Sequence, residues 1–305
     1  MSDLIIRPLT PDDVDGAFRL STCIGWNQRA DDWRMLLRLA PATAFAAVGD
    51  ARKAPDKPIV GTAIGIDYGA FAWIAMMLVD PAHRGRGIGS RLLEAAMDAV
   101  PSTLPIRLDA TPLGRPLYQR YGFEDEATLS RQVRHARHER RAPTKAGGSS
   151  QSGVPALTRP LTDADFAVVL EQDRETFGGT RSSVLEWAFR CAARYARVLR
   201  SDDGVMQYCL GRPGRLFDQI GPVVANDDET AYALVRAALA EAGDAPVAVD
   251  AFDERHAFAD ALRADRFVVE RPLFRMCRPA PSRPGDRPFA PGSAREFAIL
   301  GPEFG

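Results

Sequence analysis

Near its start the chain reads Arg7-Pro8-Leu9-Thr10-Pro11-Asp12-Asp13. Just past its middle it reads Arg159-Pro160-Leu161-Thr162-Asp163-Ala164-Asp165, each time as a short strand running into a helix. Such a repeat restricts the fold severely, because both copies have to close the same kind of core with the same order of elements. In the first half, hydrophobic periodicity predicts a strand over 4–8, helices over 12–23 and 30–39, and strands over 43–49, 58–67 and 71–79. A helix over 88–100, a strand over 104–109, a helix over 113–121 and a strand over 123–134 complete it. The same succession returns as strand 156–160, helices 163–176 and 182–191, strands 195–200, 204–211 and 215–225, helix 228–241, strand 246–250, helix 254–264 and strand 267–278. Late landmarks align too: Ile106-Arg107-Leu108-Asp109 with Val247-Ala248-Val249-Asp250, and Tyr121-Gly122-Phe123 with Asp265-Arg266-Phe267. The expected fold is a mixed α/β unit duplicated in tandem.

A length of 305 residues suits two units, each large enough to bury its own core. Residues 137–155 are small, polar and rich in breakers, with too little apolar surface to offset their ordering entropy. They read as a linker between a unit at 1–136 and a second at 156–279, followed by a C-terminal tail at 280–305. With 39 Lys+Arg against 40 Asp+Glu the net charge is −1, which argues against a charge-driven nucleic-acid or membrane partner. The four cysteines lie far apart, with no C-x-x-C pair and no histidine at ligand spacing, so neither a metal site nor a disulfide framework is expected and a reducing cytoplasm fits best. His135 and His138 sit among arginines, whose charge disfavours ligation. No apolar run approaches the ~18 residues of a membrane span.

The most informative segment is an apolar strand, Trp73 to Val79, then Asp80-Pro81-Ala82-His83-Arg84-Gly85-Arg86-Gly87-Ile88-Gly89-Ser90, then a run with helical spacing from Arg91. A glycine-rich turn between strand end and helix start leaves backbone N–H groups unpaired at the positive end of the helix dipole, where a diphosphate would sit well. A dinucleotide fold requires G-x-G-x-x-G with an acidic residue beyond, and a P-loop ends in Gly-Lys-Ser/Thr; neither pattern is present.

The spacing is instead R-x-x-G-x-G, in Arg84-Gly85-Arg86-Gly87-Ile88-Gly89, fed by Met77-Leu78-Val79-Asp80-Pro81. About thirty residues on, Leu117-Tyr118-Gln119-Arg120-Tyr121-Gly122-Phe123 reads L-Y-x-x-x-G-F. In these features residues 1–135 resemble the GNAT superfamily of acyl-CoA-dependent N-acetyltransferases, and the second half resembles it in the order of its elements. The resemblance implies, for each copy, a mostly antiparallel sheet flanked by helices, with one splayed pair of parallel strands, here 71–79 and 104–109.

The resemblance further implies that the pantetheine arm of acetyl-CoA lies in that gap against the backbone of Leu78 and Val79. Arg84, Gly85, Arg86, Gly87, Gly89 and Ser90 would take the pyrophosphate. An amide near Leu78 would stabilise the oxyanion, and Tyr118 would act as general acid on the leaving thiolate. Many members carry a carboxylate on the strand before the turn, yet 73–79 has none, so the base falls to Asp67, Asp109 or a water chain. Asp109 serves equally well as a cap for the Thr111-Pro112 turn. Thr111 stands where the family often has Asn. Acceptor recognition is expected from Trp26, Asn27 and Gln28 in the loop between the first two helices, with Trp33 in the core. The implied function is direct acetyl transfer to the amine of a small molecule or peptide, and the missing strand carboxylate keeps a non-catalytic acyl-CoA sensor as the alternative.

In the second half, Ile220-Gly221-Pro222-Val223-Val224-Ala225-Asn226-Asp227-Asp228-Glu229 stands in place of the glycine turn. It has no arginine and three acidic residues that repel a diphosphate, and its later helix lacks the tyrosine. This copy is expected to be degenerate, to bind no CoA in the usual way and to wall off the acceptor cleft. The apolar stretch Phe297 to Gly305 is expected to dock on the rest of the chain.

Overall fold

A computed structural model describes residues 4–49, 58–136, 158–201, 204–280 and 294–305; the expected linker at 137–155 and His138 lie outside them. The repeated Arg-Pro-Leu-Thr motif is a helix-entry device in both copies. Arg7 holds Asp13 through two bonds of 2.7 Å, and the Thr10 N–H donates to the same carboxylate at 2.8 Å. Arg159 and Asp165 repeat the fork at 2.6 and 2.7 Å, with the Thr162 N–H donating at 3.0 Å. Both carboxyls are held below their ordinary range, first of all by the hydrogen bonds from the arginine.

The first copy runs β1 (Leu4–Pro8), α1 (Val14–Cys23), α2 (Ala30–Leu39), β2 (Ala44–Gly49), β3 (Ile59–Asp67), β4 (Ala72–Val79), α3 (Ile88–Ala99), β5 (Ile106–Ala110), α4 (Arg115–Arg120) and β6 (Glu124–Arg134). The second runs β7 (Arg159–Pro160), α5 (Asp163–Phe177), α6 (Ser182–Cys191), β8 (Arg197–Arg200), β9 (Met206–Arg212), β10 (Asp218–Val224), α7 (Asp228–Ala242), β11 (Val247–Phe252), α8 (His256–Ala264) and β12 (Val268–Arg278). Every predicted element is present. One was not foreseen: the tail forms a further strand, β13 (Glu296–Ile299).

Among the described residues all these strands join one sheet, ordered β1-β2-β3-β4-β5-β12-β6-β11-β13-β10-β9-β8-β7. The last strands of the two copies have changed places. β12 pairs antiparallel with β5 of the first copy, and β6 pairs antiparallel with β11 of the second. Two sheets are thereby zipped into one.

Each copy contains one parallel pair that opens almost at once. β4 and β5 pair only at Ala72–Ile106 and Trp73–Arg107, and β10 and β11 only at Asp218–Val247 and Gln219–Ala248. In the second opening lies β13, paired through Val223–Ala298 and Val224–Glu296 to one strand and through Asp250–Ile299 and Ala251–Ala298 to the other. Among the described residues no strand lies in the first opening.

A large apolar core runs through both copies on the face covered by α1, α2, α5 and α6, and includes Trp33, Trp73, Phe71, Phe177, Leu185 and Phe304. The opposite face carries two separate cores, one under α3 and one under α7 and α8. At about 25 cal/mol per Å² of apolar surface buried, a shared core couples the two copies far more strongly than a few surface contacts would.

Candidate active site

The turn after β4 ends in an open helix start. Asp80 caps the first bend, its Oδ1 accepting the Ala82 N–H at 2.8 Å. Gly85 and Gly87 then take positive φ angles of 75° and 74°, which glycine adopts without strain. A Cβ added at either would meet nothing within 4 Å, so the turn is exposed on its outer side. Gly87 is the N-cap of α3 and supplies no side-chain cap. The backbone N–H groups from Gly85 to Ser90 find no acceptor among the described residues. The second copy is built the opposite way: Oδ1 of Asp227 accepts the Thr230 N–H at 2.7 Å, and Oδ1 of Asp228 accepts the Phe258 N–H at 2.8 Å. There the chain's own Asp227 carboxylate caps the helix start, where an anion would otherwise sit.

Above the turn, β4 carries a bulge. Leu78 pairs with Thr62 and Ala75 with Ile64, so β4 uses one more residue than β3 over the same stretch. Met76 absorbs it with a φ of 51°, and its carbonyl accepts the Thr62 hydroxyl at 2.7 Å. Bulges re-aim a strand, and this one lies just beyond the point where β4 stops pairing with β5.

Tyr118, on α4, lies across the opening in the same cavity as Met76, Leu78 and Val79. Burial pushes its phenol well above the ordinary value, so it stays protonated, and its hydroxyl makes no hydrogen bond with the described residues. Phe123 packs edge-on against the ring at 5.9 Å between centroids, and Gly114 sits close enough that a Cβ there would be 3.1 Å from the ring. Rigid packing of this kind leaves the hydroxyl as the mobile proton.

The cavity has a volume of about 530 Å³ and joins the helix start to an inner end built largely from exchanged strands and the tail. Beyond β13 the tail crosses into the first copy: Trp73 Nε1 donates to the Pro302 carbonyl at 3.1 Å, and the Tyr68 hydroxyl donates to the Phe304 carbonyl at 2.8 Å. This places Glu303, only 3% exposed, in the cavity wall with its carboxylate on Arg212. Arg212 also holds Asp32 at 3.1 Å. Burial pushes the Asp32 carboxyl up to about 6, against the pull of Arg212 and with the push of Glu303.

Of the residues singled out in the sequence, Leu78, Val79, Arg84, Gly85, Gly87, Gly89, Ser90, Tyr118, Trp26 and Gln28 line this one cavity. Arg86 does not line it and turns its guanidinium to the Ala82 carbonyl at 3.3 Å. Asn27 also lies outside the lining. Its amide is spent on the second copy, donating to the Phe217 carbonyl at 2.9 Å and accepting the Leu216 N–H at 2.8 Å. That clamp fixes the loop that carries Trp26 and Gln28. Asp67 is exposed and accepts the Gly69 N–H at 2.7 Å, a turn contact away from the cavity. Asp109 lines the cavity, gripped by Arg275 through two bonds of 2.9 Å. Trp33 is buried in the shared core.

Glu303, Arg131 and Arg271 were not foreseen. Glu303 left a trace in the sequence as the lone charge between Phe297 and Gly305, and a solitary charge in a docking apolar segment needs a buried partner. The two arginines left none. Among the described residues no group of three or more His, Cys, Asp or Glu side chains converges as a metal site would, and no helix is long and apolar enough to cross a membrane.

A sheet parted beside an uncapped, glycine-rich helix start is the architecture of an acyl-group transferase fold, and comparison with known proteins agrees. Residues 44–125 and residues 169–288 each match a family described as an acetyltransferase (GNAT) domain. The chain belongs to the GNAT acetyltransferases and carries two such domains in tandem. It is 26% identical over 201 residues to the uncharacterized N-acetyltransferase YitH of Bacillus subtilis (strain 168), a match spanning 64% of this chain and 65% of that protein. It is 25% identical over 224 residues to the holothin acyltransferase of Pseudoalteromonas sp. (strain SANK 73390), spanning 73% of this chain and 72% of that one. A crystal structure from Pyrococcus horikoshii superposes with a TM-score of 0.76 at 22% identity, covering 100% of this chain and 97% of its own. A tandem GNAT protein from the clavulanic acid biosynthesis pathway gives 0.57 at 17% identity, covering 92% and 99%. These structures share the fold.

Proposed function

We propose that the first copy binds acetyl-CoA in the β4/β5 opening and transfers the acetyl group directly to the amine of a small molecule or peptide. The observation that carries this reading is the run of unpaired N–H groups from Gly85 to Ser90, at an uncapped helix start, directly below a parted strand pair. Such a start favours a bound diphosphate through both its amides and its dipole. The free edge of β4 offers backbone groups to an extended arm in the way that β10 and β11 hold β13 in the second copy.

The bound cofactor would supply the acetyl thioester. A backbone N–H near Leu78, beyond the bulge and on the edge turned away from β3, is the donor for the carbonyl oxygen as it gains negative charge. Tyr118 gives its phenolic proton to the departing sulfur, and burial keeps that proton available. A bond forms from the amine nitrogen to the acetyl carbon as the carbon–sulfur bond breaks, and the amine's proton leaves to a carboxylate. Asp109 is pinned in a two-bond fork, so Glu303 at the acceptor end is the group assigned to receive it. β4 still carries no carboxylate, the observation that favoured the sensor alternative, and Asp109 and Glu303 in the cavity wall offer a substitute for it.

Calorimetry tests the cofactor site. Gly87→Glu puts a negative side chain into the cradle and should weaken acetyl-CoA binding by about 100-fold or more. Gly87→Asn tolerates the left-handed backbone and should bind much more like the parent. Unchanged affinity in Gly87→Glu sinks the proposal. Initial-rate patterns should be sequential, with no acetylated enzyme on the pathway.

A further inference from the structure

Among the described residues few buried side-chain polar atoms lack a hydrogen-bond partner, and two of these belong to the cavity wall: Oε1 of Gln28 and Nε of Arg271. They are of opposite kind, an acceptor and a donor. Arg271 makes no ion pair with the described residues. The other arginines of the inner wall are matched. Arg131 forks onto Asp250 at 2.8 and 2.7 Å, Asp109 onto Arg275, and Glu303 sits on Arg212. Arg84 and Arg120 stand exposed at the mouth. Arg212 faces both Glu303 and Asp32, so the inner end carries one guanidinium without a partner of its own, Arg271, beside one carboxylate in surplus.

Arg271 is brought there by a second bulge. Val269 pairs with Gln132 and Arg271 with Arg131, so Glu270 is the extra residue and two arginines are left side by side. Burial first, and then the neighbouring Arg131 charge, push the Arg271 guanidinium down from its ordinary value. An unmatched cation held this way costs free energy that a bound anion would relieve. A planar guanidinium without a partner matches a carboxylate, and the carboxylate in surplus at Glu303 and Asp32 matches an ammonium, so together they ask for a zwitterion.

We propose that the acceptor is a small zwitterionic amine of amino-acid type, its carboxylate on Arg271 and its amine N–H groups on Gln28 Oε1 and the Glu303 carboxylate. A peptide N-terminus lacks a carboxylate close to its amine and fails this match. The inference rests on the acetyl-transfer reading and adds the class of acceptor to it.

The test is an acetylation panel of free amino acids, their methyl esters and the corresponding decarboxylated amines, with acetyl-CoA affinity measured alongside for every protein. The parent should use at least one free amino acid with kcat/KM about 100-fold or more above its ester and its amine. Arg271→Gln should collapse that acid-to-ester ratio by raising KM for the acid, and Arg271→Lys, which keeps the charge without the fork, should fall between. The wild-type comparison of acid with ester stands even if a variant folds poorly. Esters or plain amines used as well as acids overturn the inference, as do no acid accepted by a protein that binds acetyl-CoA, or a ratio that survives in Arg271→Gln. A parent that fails to bind acetyl-CoA overturns the acetyl-transfer reading instead, and this inference with it.

Discussion

At the scale of the residue, Tyr118 is the proposed general acid. Its ring is locked between Gly114 and Phe123, and burial alone raises its phenol, so the proton is retained through the alkaline range. With the acid form as the proposed active one, a raised value moves any loss of rate on its account to higher pH. The rate should therefore hold from about pH 8 to about pH 10, where an ordinary phenol would begin to ionise. Tyr118→Phe removes the proton and keeps the packing. Its kcat should drop by about 100-fold while acetyl-CoA affinity stays close to the parent's. An equal loss of affinity would show that the hydroxyl only holds the cofactor. The tyrosine was legible in the sequence because it sits in a local signature; Met76 was not, since nothing in its neighbours marks a methionine for a left-handed backbone.

At the scale of the element, β13 sets the two copies apart. The two openings in the sheet are alike in register, yet one is filled by the tail and the other is free. Gly221 makes the filling possible: a Cβ there would lie 1.9 Å from the Ile299 carbonyl oxygen. Gly221→Ala should displace β13 and lower stability by at least about 2 kcal/mol. It should also draw Glu303 out of the cavity, so acetyl transfer falls while the remote turn at Gly85 to Ser90 still binds acetyl-CoA. Hydrogen exchange over 296–304 reads the displacement directly, and full protection there would refute it. The acidic stretch Asp227 to Glu229 pointed from sequence alone to a copy unsuited to diphosphate. That the tail would occupy the neighbouring gap was not visible, because a strand of four residues, three of them apolar, pairs equally well with any open edge.

At the scale of the whole molecule, the exchange of β6 and β12 makes the two copies one folding unit. Neither sheet is complete without a strand from the other, and the core around Trp33, Trp73 and Phe177 belongs to both. Urea unfolding should therefore be a single transition, with far-UV circular dichroism and tryptophan fluorescence superimposing; two resolved steps would refute the coupling. Fluorescence reports on both copies, since Trp26, Trp33 and Trp73 lie in the first and Trp187 in the second.

The sequence by itself determined the duplication, the succession of helices and strands, the glycine turn and the position of Tyr118. Each of these is written within a few neighbouring residues, as a period of two or 3.6, a glycine where the backbone must turn left-handed, or a cap and its partner. Tertiary structure alone decided which edges the strands found, and with them the arrival of Glu303 and Arg271 at the cavity. Alternating half-buried strands look alike to their own neighbours, so pairing is settled only when every edge and every apolar face in the chain competes for burial at once.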